Sequence, residues 1–272
     1  MTDPSLARFD GVGAGYGNRL IFRDLDLDLP AGKIVALCGP NGSGKSTALR
    51  LIRRLMPSQN GVLTVDGRSL SDWSGRDLAR AVAMLSQSPD APGDMRVADL
   101  VMLGRYAHRK PLSGPSTTDK TACERAIHAA AIEDLADTPI DSLSGGQRQR
   151  AWIAMVLAQE AGIILLDEPT NHLDIAHALE VLELLRKLNQ QEQRSVVVVL
   201  HDLNLAARYA DHIVLFESGR IAAQGDVTSV MREDVLSQVF GIDCQIITLP
   251  GATHPLVVPY PRAMTKASLV AE

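Results

Sequence analysis

The chain has 272 residues, 46% hydrophobic and 22% charged, enough to bury a core without disulfides or metals in one large domain or two packed subdomains. A net charge of -5 speaks against a general nucleic-acid binder, which would carry a strong basic excess. The three scattered cysteines, Cys38, Cys123 and Cys244, speak against a disulfide or zinc framework and for a reducing compartment. Residues 1–11 lack a basic stretch followed by an apolar core, and no uncharged apolar run reaches the roughly 18 residues of a membrane span.

Strands with tight turns are predicted over the first fifty residues. Leu25, Leu27 and Leu29 alternate with Asp26 and Asp28, the pattern of a half-buried strand. Pro30-Ala31-Gly32 makes a turn, and residues 33–38 read as a buried strand. A Gly-rich loop follows, then helical periodicity over 45–56 through Leu49, Ile52 and Leu55. Residues 61–66 and 82–86 read as strands again. From 88 to about 160 helical patterns dominate, at 97–104, 119–132 and 147–159, with an exposed loop predicted at 111–115. Strands return at 163–167, 195–200, 212–217 and 221–224, with helices at 177–189 and 203–209. This alternation predicts an α/β fold with a mostly parallel sheet covered by helices. Pro250, Pro255, Pro259 and Pro261 mark 241–272 as a short appendage whose last ten residues are mobile.

Gly39-Pro40-Asn41-Gly42-Ser43-Gly44-Lys45-Ser46-Thr47 matches GxxxxGK[ST], a loop whose amides face phosphate oxygens at the positive end of the next helix. Lys45 is expected to reach the β- and γ-phosphates and Ser46 to ligate Mg²⁺. A decorative Gly-rich turn would not need a buried strand before it and an amphipathic helix after it. Four apolar residues then deliver Asp167 at a strand's C-terminal end, where ligands bind in open α/β sheets, suited to hold Mg²⁺. Glu168, one residue on, points elsewhere and is a candidate general base. Leu143-Ser144-Gly145-Gly146-Gln147 opens a further helix and reads as a second anion site; an ordinary helix start would need only Ser144. His108-Arg109-Lys110 reads as solvated surface, Cys38 as a small buried apolar residue, and Trp152 and Met155 as core contacts.

Together these motifs resemble the nucleotide-binding domain of ABC transporters over residues 6–224. The resemblance implies a phosphate-loop ATPase core with an antiparallel β N-terminal part and a helical signature subdomain at about 88–160, all within 1–240. It implies that Mg²⁺ and ATP lie between two copies of the chain, each phosphate loop facing Ser144, Gly145, Gly146 and Gln147 of the other. It further assigns Tyr16 to stacking on adenine, Gln87 to sensing Mg²⁺ and the attacking water, Asp174 to communication between the two sites, and His201 to the γ-phosphate. Three of them have a bland alternative: Tyr16 capping a turn, Gln87 a polar strand end, His201 a structural histidine.

A single signature and no membrane span imply a homodimer docked on two integral-membrane permease subunits at the cytoplasmic face of the membrane. The docking surface would be residues 87–110, including Pro89, Met95, Arg96 and Arg105. The strings Val97 to His108, Leu143 to Gln159, and His201-Asp202-Leu203-Asn204 are similar to those of importers of ferric siderophores, haem and vitamin B12. The signature helix and the tail Pro255-Leu256-Val257-Val258-Pro259 most resemble the ferric enterobactin type. Ala107 departs from that group, which usually has proline there. The implied activity is ATP hydrolysis energising siderophore-iron uptake, indirectly served by a substrate-binding protein. A haem or vitamin B12 importer and a soluble non-transport ABC ATPase are the alternatives.

Overall fold

Leu25, Leu27 and Leu29 are buried and the aspartates between them are exposed, as the alternation requires. They lie on β2 (Arg19–Pro30), which pairs antiparallel with β1 (Ser5–Tyr16). The computed structural model describes residues 4–110, 113–171 and 173–261. Pro111 and Leu112 of the predicted 111–115 loop, His172 and the ten-residue tail lie outside them.

The first sheet is antiparallel, in the order β2-β1-β4-β5, with β4 at Asn60–Val65 and β5 at Arg68–Ser69. The second has the order β10-β9-β3-β8-β7-β6. Its strands are β3 (Ile34–Cys38), β6 (Val82–Leu85), β7 (Ile163–Leu166), β8 (Ser195–Val199), β9 (His212–Glu217) and β10 (Arg220–Gly225). All neighbours are parallel except β10 against β9. Strand side chains alternate between faces, so the central strands feed two cores. Val35, Leu37, Leu165, Val197 and Val199 pack with the antiparallel sheet and α1 (Lys45–Ile52). Ala36, Cys38, Ile164, Leu166, Val196 and Val198 pack with the helices that follow β6 in the chain.

Helix α2 (Gly75–Ala81) was not predicted, although Ser74 accepts from the Asp77 amide in an ordinary capping signature. Between β6 and β7 stand α3 (Val97–Leu103), α4 (Thr117–Ala129) and α5 (Gly145–Ala158), followed beyond β7 by α6 (Ile175–Glu192) and α7 (Leu203–Tyr209). Predicted helices overrun the observed ends for a physical reason. After α4, Ala131 takes a φ of 51°, its N–H donates to His128 O, and the Ile132 N–H donates to Ile127 O. This Schellman turn ends the helix while burying Ile132, so apolar spacing outlasts the helix. Helix α1 ends the same way at Arg54 (φ 56°), short of the predicted Met56.

After α8 (Val227–Val230) and α9 (Glu233–Phe240) comes a hairpin, β11 (Asp243–Ile247) with β12 (Leu256–Tyr260), in the segment predicted only as an appendage. Asn204 on α7 holds it: its Nδ2 donates to Val257 O (3.2 Å) and its Oδ1 accepts from Val257 N (2.7 Å). Cys244 and Val257 join the helical core.

Arg105 is buried, contrary to its expected place on a docking surface. Its Nε donates to Asp119 Oδ1 (3.0 Å), and its Nη1 donates to Ala158 O (2.7 Å) and Glu160 Oε2 (2.7 Å). A buried guanidinium persists only when its donors are satisfied, and these acceptors tie α3, α4 and α5 together. The Ser116 hydroxyl, with Arg105 adding to it, holds the Asp119 carboxyl down to about 2. Asp119→Ala should lower the unfolding free energy at neutral pH by about 3 kcal/mol, because the buried Arg105 charge loses one of its two carboxylate partners. A carboxyl depressed on folding contributes fully above about pH 4 and loses that contribution as pH falls toward about 2. Thermal melts of parent and variant should therefore converge over that interval. Equal melting temperatures at pH 7 would refute the role.

Candidate functional site

The phosphate loop joins β3 to α1, and two of its glycines are required sterically. Gly39 has φ 139° and an added Cβ would sit 2.2 Å from Phe216 O on β9; Gly44 has φ 116° and its Cβ would strike the Phe22 ring at 2.4 Å. Gly44 is the N-cap of α1 and offers no side-chain cap, which leaves the first helical amides free for an anion. Lys45 is buried and donates to Gly39 O (2.8 Å) and Pro40 O (2.9 Å). Burial pushes its ammonium down from the usual lysine range, opposed by Glu168 and then Asp167 nearby. The Ser43 hydroxyl is buried without a partner among the described residues.

Pairing of β6 beside β7 places the acids. The Asp167 N–H donates to Leu85 O (2.9 Å), fixing the strand end. Asp167 is 1% exposed; its Oδ1 accepts from Ser46 Oγ (2.8 Å) while its Oδ2 has no partner among the described residues. Burial pushes the Asp167 carboxyl up, with the Ser46 hydroxyl acting in the other direction. Glu168 stands at φ 56°, a strained value for a non-glycine residue, and this turns its side chain away from Asp167. Its carboxylate accepts from Gln87 Nε2 (2.6 Å) and Asn171 Nδ2, and meets His201 Nε2 at 2.8 Å. Asn171 was not among the predicted site residues; its only signal was its place three residues after Glu168.

An open cleft of about 870 Å³ is lined by Tyr16, Asn41, Gly42, Gly44, Lys45, Ser46, Thr47, Gln87, Glu168 and His201, together with the unpredicted Arg19, Ile21 and Asn171. Tyr16 is half exposed, its hydroxyl accepting from Arg50 Nη1 (2.9 Å), so its ring face is available to a planar base.

Ser144, Gly145, Gly146 and Gln147 do not line this cleft. They open α5 with a capping box: Ser144 Oγ accepts from Gln147 N (3.3 Å) and Gln147 Oε1 accepts from Ser144 N (3.0 Å). Gln147 thus has a structural reason that the sequence reading denied it. Asp174 likewise caps α6, accepting from His177 N (2.9 Å). His108-Arg109-Lys110 is less solvated than predicted, since His108 Nε2 pairs with Gln159 O (2.8 Å) and Arg109 Nε is buried. Cys38 is an inert core thiol, its pKa pushed up to about 12 by burial.

A phosphate loop, a buried acid bonded to the loop serine and a second acid held by three polar side chains form a site for phosphate-chain chemistry. A protein-family model described as "ABC transporter" matches residues 22–171. The chain belongs to the ABC transporter family. It is 47% identical over 251 residues to a probable siderophore transport system ATP-binding protein of Bacillus subtilis, covering 92% of this chain and 91% of that one. It is 44% identical to the ferric enterobactin transport ATP-binding protein of Escherichia coli, over 96% of this chain and 97% of that one. Among solved structures, it resembles an inward-facing putative metal-chelate type ABC transporter with a TM-score of 0.82 and 28% identity, covering 95% of this chain and 99% of that chain. The dimeric structure of a bacterial ABC transporter cassette matches with a TM-score of 0.72 and 28% identity, covering 81% and 98%. The protein therefore has the ABC ATPase fold and is an ATP-binding, ATP-hydrolysing cassette.

Proposed function

We propose that this cassette energises uptake of ferric siderophores across the cytoplasmic membrane, working as a homodimer on two integral-membrane permease subunits, with a substrate-binding protein delivering cargo to them. The assembly would lie at the cytoplasmic face of the membrane; among the described residues no helix is long and apolar enough to cross it. The observation that carries the catalytic part is the convergence of Gln87, Asn171 and His201 on Glu168 in one cleft with Lys45. The cargo is supported by the siderophore named in the relatives that match over nearly the full chain.

In this reading residues 1–240 form the nucleotide-binding domain, with 88–160 inserted in it and 241–272 appended. Tyr16 stacks on adenine, and the backbone from Gly39 through Pro40, Asn41, Gly42 and Ser43 to Gly44 wraps the phosphates with Lys45 and Thr47. The donor set fits Mg²⁺: Ser46 Oγ and the Asp167 carboxylate are hard oxygen ligands, and Asp167 Oδ2 is a buried atom without a partner among the described residues, with Gln87 nearby in the cleft. An ion held by these residues would supply positive charge to offset the negative charge of the phosphates. ATP binding closes the dimer because each γ-phosphate bridges Lys45 of one chain and Ser144, Gly145 and Gly146 of the other. The Ser144 hydroxyl already accepts from Gln147, which leaves its proton to donate to phosphate. Asp174 lies on the segment that links the two sites. Glu168 takes a proton from the attacking water and His201 stabilises the developing charge on the γ-phosphate. Docking on the permeases uses the part of 87–110 that is not buried, the half-buried Pro89 and Met95 with the exposed Arg96 and Tyr106, but not Arg105.

The test is uptake of radiolabelled ferric siderophores, haem and vitamin B12 in cells lacking the native gene and carrying either this protein or its Glu168→Gln variant. Siderophore-iron uptake restored by the parent alone is the expected result. Uptake of haem or vitamin B12 instead would move the cargo to those importers; a 40% identical relative from Streptomyces coelicolor is a hemin import ATP-binding protein. No cargo entering while ATP is still hydrolysed would sink the importer reading in favour of a soluble ABC ATPase.

A further inference from the structure

Gly146 is one of the glycines whose φ is not positive, so the backbone itself does not call for glycine there. Space does. An added Cβ would lie 2.9 Å from Cδ2 and 3.0 Å from Cγ of His177, so the imidazole already rests against the glycine. The Nδ1 corner of that ring, itself 3.3 Å from the same Cβ position, is fixed, because it lies 2.8 Å from Asp174 Oδ1, the same oxygen that accepts from the His177 amide. With Asp174 ionised, Nδ1 carries the proton and donates. The backbone N–H of His177 is the chief cause holding the Asp174 carboxyl below the usual range, followed by the ring itself. Gly146 belongs to the first turn of α5, and His177 to the first turn of α6, so one side chain joins the two helix starts, with the Arg150–Glu180 ion pair (3.6 Å) a turn further along the same two helices.

We propose that His177 is a positioning residue, a rigid link that makes the Ser144-Gly145-Gly146 turn and the Asp174 segment move as one body. The inference rests on the reading above, in which the Ser144 turn serves the nucleotide bound by the partner copy and the Asp174 segment links the two sites. A phosphate engaging Ser144 and Gly146 then also sets Asp174, and displacement of Asp174 withdraws the turn. Neither end alone suffices: the ring supplies the surface for Gly146, and the Nδ1 bond prevents the ring from rotating away.

Two substitutions cut one end each. His177→Phe keeps a ring against Gly146 and loses the bond to Asp174; His177→Asn keeps a donor for Asp174 and loses the ring. In the full-length chain carrying Glu168→Gln, the ATP concentration giving half-maximal dimer is measured by light scattering, alongside the affinity of the monomer for a fluorescent ATP analogue. Both variants should raise the half-dimer concentration about tenfold, the size expected for one charge-assisted contact. Monomer affinity should stay within about twofold, since no cleft residue changes. Either variant dimerising at the parental ATP concentration would overturn the proposal, because a link must hold both ends. A general loss of fold would show as lost monomer affinity, and the other variant then decides. Failure of the Glu168→Gln parent to dimerise with ATP would overturn the dimer reading itself, before any change at His177.

Discussion

Glu168→Gln should lower kcat for ATP hydrolysis by about 10²- to 10⁴-fold, the usual worth of a general base, and should accumulate an ATP-bound dimer. The substitution is nearly isosteric, so the cleft keeps its shape. The new amide oxygen can still accept from Gln87 or Asn171, both of which now donate to the carboxylate. What disappears is the capacity to take a proton from water. Because Lys45, Ser46, Tyr16 and the signature turn are untouched, ATP affinity should change little and closure should proceed without its consequence. Steady-state hydrolysis and light scattering with ATP measure the two halves of this result. Hydrolysis near the parental rate would remove Glu168 from the base role and direct attention to its neighbour His201, 2.8 Å away.

The second large effect concerns binding. Lys45→Ala should weaken ATP binding by about 10²- to 10³-fold, in line with loss of a buried charged hydrogen-bonding partner of phosphate. Its effect on the ATP-free chain should be small. There the ammonium is buried against two carbonyl oxygens, and burial pushes its pKa down, so the charged form is disfavoured in the empty loop. Removing it relieves that cost while giving up two hydrogen bonds, and the melting temperature should stay within a few degrees of the parent, in contrast to Asp119→Ala. Titration calorimetry and thermal melts without nucleotide separate the two. A fall in stability as severe as the fall in affinity would make Lys45 a structural residue.

Much of the site was legible because its chemistry is local. A phosphate loop is one contiguous turn between a buried strand and a helix, and Gly39 and Gly44 declare backbone geometries no other residue can take. The apolar run before Asp167 identified a buried strand whose end carries an acid, and Ser144 marked a helix start, although Gln147's share in its capping box was not read. Helix ends were less legible: Ile132 keeps the apolar spacing beyond the helix because a Schellman turn buries it. The hairpin after Phe240 was missed because its strands pair with each other and are held from outside, through Asn204 and Val257.

Arg105 shows the limit from the other side. Exposed and buried arginines look the same in a sequence, and only the arrival of Asp119, Ala158 and Glu160 from two other helices makes burial affordable. The same holds for Asn171, whose role depends on where Glu168 turns.

The sequence by itself determined the family, the phosphate loop, the two acids and the α/β alternation, since each is encoded in a short run with its own steric or capping requirement. Tertiary structure alone decided what meets Glu168. Gln87 reaches it across 81 residues of chain because β6 lies beside β7, and that order follows from burying alternate faces of the central strands in two separate cores. It also decided that Ser144 and Gly146 stand away from the cleft of their own chain, with Gly146 against His177. Strand order and helix placement are set by burial summed over the whole chain, which no local window contains.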